Sequence, residues 1–270
     1  MCMSMPTIRP FAGNPGDFGA RKTAGRTNQN WERKMLKKWI DGQKAKRHFQ
    51  KGIDWMASGQ PGQSVAEFDR ALALTPDFLK ARLQRGIAHA VTLQDERSLV
   101  DLNAALAEDP ELSAAYYWRS VIHLRREEIE PALENIQHAI ALNAGEPANY
   151  LVRGFIHSHH QAYDLALSDM NTAIELGFEK DGLHNRALVY ENMGYLVAAL
   201  ADWTEVIRLV PRDSTAYCKR GMLYAKTGQI EAAISDLKFG LQGGNQVSAD
   251  LQEDTRKVLE ELLVSHERPV

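Results

Sequence analysis

The chain has 270 residues, 44% of them hydrophobic and 25% charged, and a formal net charge of −3. That balance suits an ordinary folded protein and excludes collagen-like, low-complexity or membrane-embedded chains, since no apolar run approaches the ~18 residues of a span. Two cysteines, Cys2 and Cys218, are too few for a disulfide framework and lack metal-ligand spacing, so a reducing, cytoplasmic setting is expected, with no metal or other cofactor.

Residues 1–40 carry eight basic and two acidic side chains, a net of +6, leaving 24 basic and 33 acidic, a net of −9, for the remainder. Residues 1–30 hold Pro6, Pro10, Pro15 and several glycines with little periodicity, which predicts a disordered basic arm. No apolar core precedes a cleavage site, so a secretion signal is not expected. Residues 31–43 differ. Trp31, Met35, Leu36, Trp39 and Ile40 follow helical spacing, while Arg33, Lys34, Lys37 and Lys38 cover the other face. The first expectation is that this Trp face covers the open end of the structure that follows. If instead the arm reaches a partner or nucleic acid, Trp31, Lys34, Lys38 and Trp39 are its candidate contacts.

From residue 45 onward the chain repeats. Arg85, Arg119, Arg153, Arg186 and Arg220 recur at steps of 34, 34, 33 and 34. A small residue follows each: Gly86, Ser120, Gly154, Ala187 and Gly221, with Gly52 beginning the series. Ala71, Ala105, Ala139 and Ala173 form a further column, and Gly59, Gly194 and Gly228 sit at matching inner turns. Such a period means a helix pair copied end to end, each unit burying its apolar face only on its neighbours. The units run 45–78, 79–112, 113–146, 147–179, 180–213 and 214–247. Residues 249–267, with Leu251, Val258, Leu259, Leu262 and Leu263 as an apolar stripe, predict a carboxyl-terminal capping helix.

Segments such as Arg220-Gly221-Met222-Leu223-Tyr224, followed by Gly228, Ala233 and Leu237, resemble tetratricopeptide (TPR) repeats. The resemblance covers about three quarters of the chain and implies an all-α, right-handed α-solenoid of about six helix pairs. Departures are local: Ser120 and Ala187 replace the helix glycine, and the fourth unit is one residue short. The resemblance further implies that the first helix of each unit lines a concave groove. Carried onto this chain, that groove holds Phe49, Ile53, Leu83, Ile87, Tyr117, Trp118, Val121, Leu151 and Phe155, then the more polar Asn185 and Lys219. The subgroup that clamps acidic chaperone tails needs a polar and basic set. Only Asn185 and Lys219 match it, so an apolar helix or extended peptide of another protein is the expected guest. The arm's Ile8, Phe11 and Phe18 are available to occupy the same groove.

An acidic column faces the arginines: Glu67, Asp101, Asp169, Asp202 and Asp236, with Asn135 as the exception. Repeated bidentate Arg–Asp pairs are therefore expected, as structure and not as a ligand site. His89, His123 and His157 recur at one position where Trp55, Tyr190 and Tyr224 stand elsewhere, and read as substituted core aromatics. No glycine-rich phosphate loop, His-Glu-x-x-His or nucleophile elbow occurs, and enzymatic activity is not expected. The expected role is a protein–protein scaffold or adaptor. The alternative is a nucleic-acid-associated factor whose basic arm contacts phosphates while the repeats recruit a partner.

Overall fold

The computed structural model describes residues 21–243 and 247–266, which form thirteen helices with no strand among the described residues. The chain divides into two bodies, Met1–Ala88 and His89–Val270, and the division falls inside a helix.

In the first body, α1 (Arg21–Ala57) folds back on α2 (Pro61–Leu74), and most of α3 (Leu79–Val91) completes it. Ala45, Ala71, Leu72 and Ala81 are its buried centre, wrapped by Phe49, Leu74 and Phe78. The alanines let the helices approach closely, and the Phe49 ring stacks at a tilt on Phe68 and Phe78. Two expectations are corrected here. The amphipathic segment 31–43 is not a separate element, and residues 21–30 are helical, where a disordered arm was expected. From Arg21 to Ala57 there is no proline and the residues are mostly good helix formers, so a helix nucleated on α2 propagates toward the amino terminus. The prolines that break the pattern, with Ile8, Phe11 and Phe18, lie outside the described residues.

A third correction concerns the Trp face. Trp31 and Trp39 are 60% and 63% exposed, and Met35, Leu36 and Ile40 are exposed with them. In one continuous helix their direction is fixed by Ala45, which must face α2. At about 100° per residue, Trp39 then points roughly a third of a turn away from that contact. The stripe caps nothing among the described residues.

The second body begins with the end of α3 and continues through α4 (Asp95–Glu108), α5 (Ser113–Arg125), α6 (Ile129–Leu142), α7 (Pro147–His159), α8 (Tyr163–Glu175), α9 (Glu179–Met193), α10 (Leu196–Leu209), α11 (Ser214–Lys226), α12 (Ile230–Leu241) and α13 (Ala249–His266). α5 packs on α6, α7 on α8, α9 on α10 and α11 on α12, and each pair rests on the next through α6–α7, α8–α9 and α10–α11. This is an all-α solenoid stack. α13 closes it by packing on α11 and α12. Its core is a chain of local clusters, such as Ala132, Ile136, Ala139 and Ile156 in one place and Leu183, Trp203, Val206 and Leu223 in another.

The small-residue column is explained by close approach. A Cβ at Gly154 would stand 2.6 Å from the Met170 methyl and 3.3 Å from the Ala166 carbonyl oxygen. Ser120 occupies the equivalent place and turns the same proximity into a bond: its buried hydroxyl donates to the Ala132 carbonyl at 2.7 Å. The fourth unit's missing residue falls in the turn between α8 and α9. There Gly177 takes φ +93° and the Phe178 N–H reaches back to the Ala173 carbonyl at 3.0 Å, a tight helix end.

Candidate partner-binding surface

The recurring arginines are structural in three units. Arg153 donates through Nε and Nη2 to Asp169 at 3.0 and 2.6 Å. Arg186 does the same to Asp202 at 2.8 and 2.7 Å, and Arg220 to Asp236 at 2.7 and 3.1 Å. Each fork spans 16 residues and ties the first helix of a pair to the second. The aspartates are nearly buried, and the side-chain bond to Asp169 or Asp202 is what raises Arg153 and Arg186 above the usual arginine value. Aromatic rings flank the guanidinia, with Tyr150 5.5 Å from Arg153 and both Tyr217 and Tyr224 5.5 Å from Arg220. In the first body Glu67 takes other partners: His48 Nδ1 at 2.6 Å and Arg70, with the His48 bond lowering the Glu67 carboxyl.

The three periodic histidines do not converge. His89 is buried, His123 Nδ1 bonds Glu128 at 2.5 Å, and His157 Nε2 lies 3.9 Å from Asp169. Burial lowers the His157 value, against the pull of Asp169. No group of three ligating side chains stands together among the described residues.

The groove positions separate by exposure. In the first body Phe49, Ile53 and Leu83 are half-buried, but Ile87 is buried at 9% and offers no contact surface. It follows Gly86 on the face of α3 that turns inward. In the second body Phe155 on α7 is 49% exposed, the most open of the apolar groove positions there. Tyr117, Trp118 and Val121 on α5 and Leu151 and Val152 on α7 are half-buried, and α5 touches α7. Tyr117 and Trp118 meet edge to face at 5.4 Å, which holds both rings in one arrangement. Burial, helped by Glu146, raises the Tyr117 phenol.

Beside Tyr117 is a pocket of about 190 Å³ lined by Ser113, Ala114, Asn143, Glu146, Ala148 and Asn149. It is too small for a cofactor and the right size for one side chain. Sequence reasoning did not reach Glu146 and Asn149: both sit where one unit passes into the next, and Asn149 stands where Ala81, Ala115 and Ala216 stand in other units.

Farther along, the surface turns polar. Asn185 is occupied by its own helix, donating to the Asp181 carbonyl at 2.8 Å. His184 stands edge-on to the buried Trp203 ring at 4.7 Å, and burial lowers its value. Lys219 shares a pocket with Glu191, Met222 and the α13 residues Val258 and Leu262, so the closing helix walls that end. In the first body Trp31, Lys34, Lys38 and Trp39 are all exposed on one stretch of α1.

The repeating helix pair, the αL inner turns and the small-residue column all have a counterpart in one known family. The tetratricopeptide repeat model matches residues 214–238, the helix pair α11–α12. Those residues are a tetratricopeptide repeat, and the chain has the fold of TPR proteins.

No curated protein matches it by sequence. Solved structures of TPR proteins match it by fold. The Cut9–Hcn1 hetero-tetramer of the APC/C superimposes with a TM-score of 0.72 at 16% identity, over 82% of this chain and 43% of that one. This chain therefore spans less than half of that protein. A thermophilic TPR protein from Thermus thermophilus gives 0.58 at 20% identity, over 66% and 98%. YrrB, described as a TPR protein with an unusual peptide-binding site, gives 0.52 at 19% identity, over 70% and 97%. At these identities the likeness is one of fold.

Proposed function

We propose that this TPR protein is a scaffold or adaptor that holds an apolar segment of a partner protein on the first-helix surface of its second body. The observation that carries this reading is Phe155, half exposed on α7, next to a helix that presents Tyr117, Trp118 and Val121. Large rigid rings with a side-chain-sized pocket beside them are what binding hot spots are made of. YrrB, a similar fold, has a peptide-binding site, and that supports a peptide as the guest. The reading is one of binding, which the TPR fold supports. A reducing, cytoplasmic setting belongs to the same reading, since Cys218 is a buried free thiol whose value burial raises. No helix among the described residues is long and apolar enough to cross a membrane.

Affinity capture with wild-type protein and with Trp118→Ala/Phe155→Ala tests this. The double variant keeps its helical signal and loses its main partner. A double variant that still captures the same partner removes the groove from consideration.

A second reading rests on α1, where Lys34, Lys37 and Lys38 accompany two exposed tryptophans. Basic side chains interleaved with rings suit a single-stranded nucleic acid. Such binding weakens steeply as salt rises, whereas apolar capture in the groove does not. A flat salt dependence of oligonucleotide binding, or no binding at low salt, disposes of this alternative.

A further inference from the structure

The Arg–Asp fork is present between the two helices of the last three pairs and interrupted in the α5–α6 pair. At the same 16-residue spacing, Arg119 faces Asn135 in place of an aspartate. Asn135 is buried, and it turns its Nδ2 to the Pro131 carbonyl of its own helix at 2.7 Å. Arg119 Nε is enclosed by protein and has no hydrogen-bond partner. The guanidinium keeps the aromatic contact its counterparts have, with the Tyr116 ring 5.9 Å away, and Tyr116 in turn stacks on His138 at 5.1 Å. The neighbouring acid Glu128 is engaged by His123.

We propose that Arg119 is a receptor for a carboxylate supplied by another polypeptide, an acidic side chain or a carboxyl terminus. The molecule itself shows the ligand chemistry three times. In Arg153, Arg186 and Arg220 the same two nitrogens, Nε and Nη2, grip both oxygens of one planar carboxylate. Parallel donors on a rigid fork match a carboxylate more closely than a single point charge does. Asparagine has nearly the shape of aspartate, so the α5–α6 pair keeps the setting of the fork while losing its charge. An enclosed guanidinium N–H left without an acceptor is costly, and an arriving carboxylate removes that cost. Arg186 and Arg220 also reach residues of the preceding second helix, Asn171 at 2.6 Å and Thr204 at 3.3 Å. By the repeat, Arg119 opens onto the seam between second helices. That places it on a different surface from Trp118 and Phe155, so the proposal does not depend on the groove reading.

The test follows the side-chain Nε–Hε signal of Arg119 by NMR as sodium acetate replaces sodium chloride at constant ionic strength. The expected result is a saturating shift of Arg119, with the signals of Arg153, Arg186 and Arg220 unmoved. In Asn135→Asp, which supplies an internal carboxylate and keeps the fold, the acetate response disappears. A short blocked peptide containing glutamate then shifts Arg119 at lower concentration than acetate, and its glutamine version does not. An unmoved or non-saturating Arg119 signal overturns the proposal, as does an equal response in Asn135→Asp. A glutamate peptide no more potent than acetate overturns its polypeptide part.

Discussion

At the scale of single residues, the repeat imposes one backbone requirement that half of its copies meet badly. The inner turn of each unit has positive φ: 69° at Gly59, 76° at Gly194 and 78° at Gly228, but also 58° at Leu93, 59° at Glu127 and 58° at Gln161. A side chain in that region costs roughly 1–2 kcal/mol. Leu93→Gly, Glu127→Gly and Gln161→Gly are each expected to gain stability, by about 1 kcal/mol after the entropy of a freer unfolded chain is subtracted. Urea unfolding measures this, and a consistent loss across the three contradicts the strain argument. The forks provide the opposite case. Asp202→Ala leaves Arg186 without its nearly buried partner and is expected to cost about 3 kcal/mol, the low end for such pairs because Arg186 keeps some exposure. Asn135→Asp completes the interrupted fork and is expected to gain about 1–2 kcal/mol.

At the scale of elements, caps and ends decide the behaviour. Asp213 starts α11, accepting the Ala216 N–H at 3.0 Å and Lys180 Nζ at 3.0 Å. Burial pushes its carboxyl up, but the Ala216 and Lys180 bonds outweigh that and leave it below the ordinary aspartate value. A lowered folded-state value means the stabilisation is complete above the unfolded value near 3.9 and is lost as pH falls through the folded one. Asp213→Ala is therefore expected to cost about 1 kcal/mol at neutral pH, with the difference from wild type shrinking in acid. A pH-independent difference contradicts that assignment. α1 gives the other element-scale expectation: its exposed stripe supports nothing among the described residues, so removing residues 1–40 is expected to leave the unfolding free energy within about 1 kcal/mol of the full chain's.

The elements of the repeat were legible in the sequence because stacked identical units force the same residue type at the same place. The arginine period, Gly154 and the inner-turn glycines are each the direct trace of one contact or one dihedral angle. What was not legible has equally physical causes. The unbroken α1 depends on propagation from a packed helix and leaves no periodic mark. Ile87 repeats the pattern of a groove residue, and only packing shows which way α3 turns. The pocket beside Tyr117 is built from unit ends that do not repeat. Glycine's absence at Leu93, Glu127 and Gln161 concealed three turns that the fold forms regardless.

At the scale of the whole molecule, the helix pairs of the second body bury their small and aliphatic columns between neighbours and leave Phe155 of α7 exposed beside the half-buried Tyr117 and Trp118 of α5. The proposed capture of another chain rests on that division of labour. The direct test is quantitative affinity capture of partners by wild-type protein, Trp118→Ala/Phe155→Ala and the 1–40 deletion, each checked for intact helical content. The account predicts that the deletion retains the principal partner and the double variant loses it. Retention by the double variant, with loss on deletion, contradicts it.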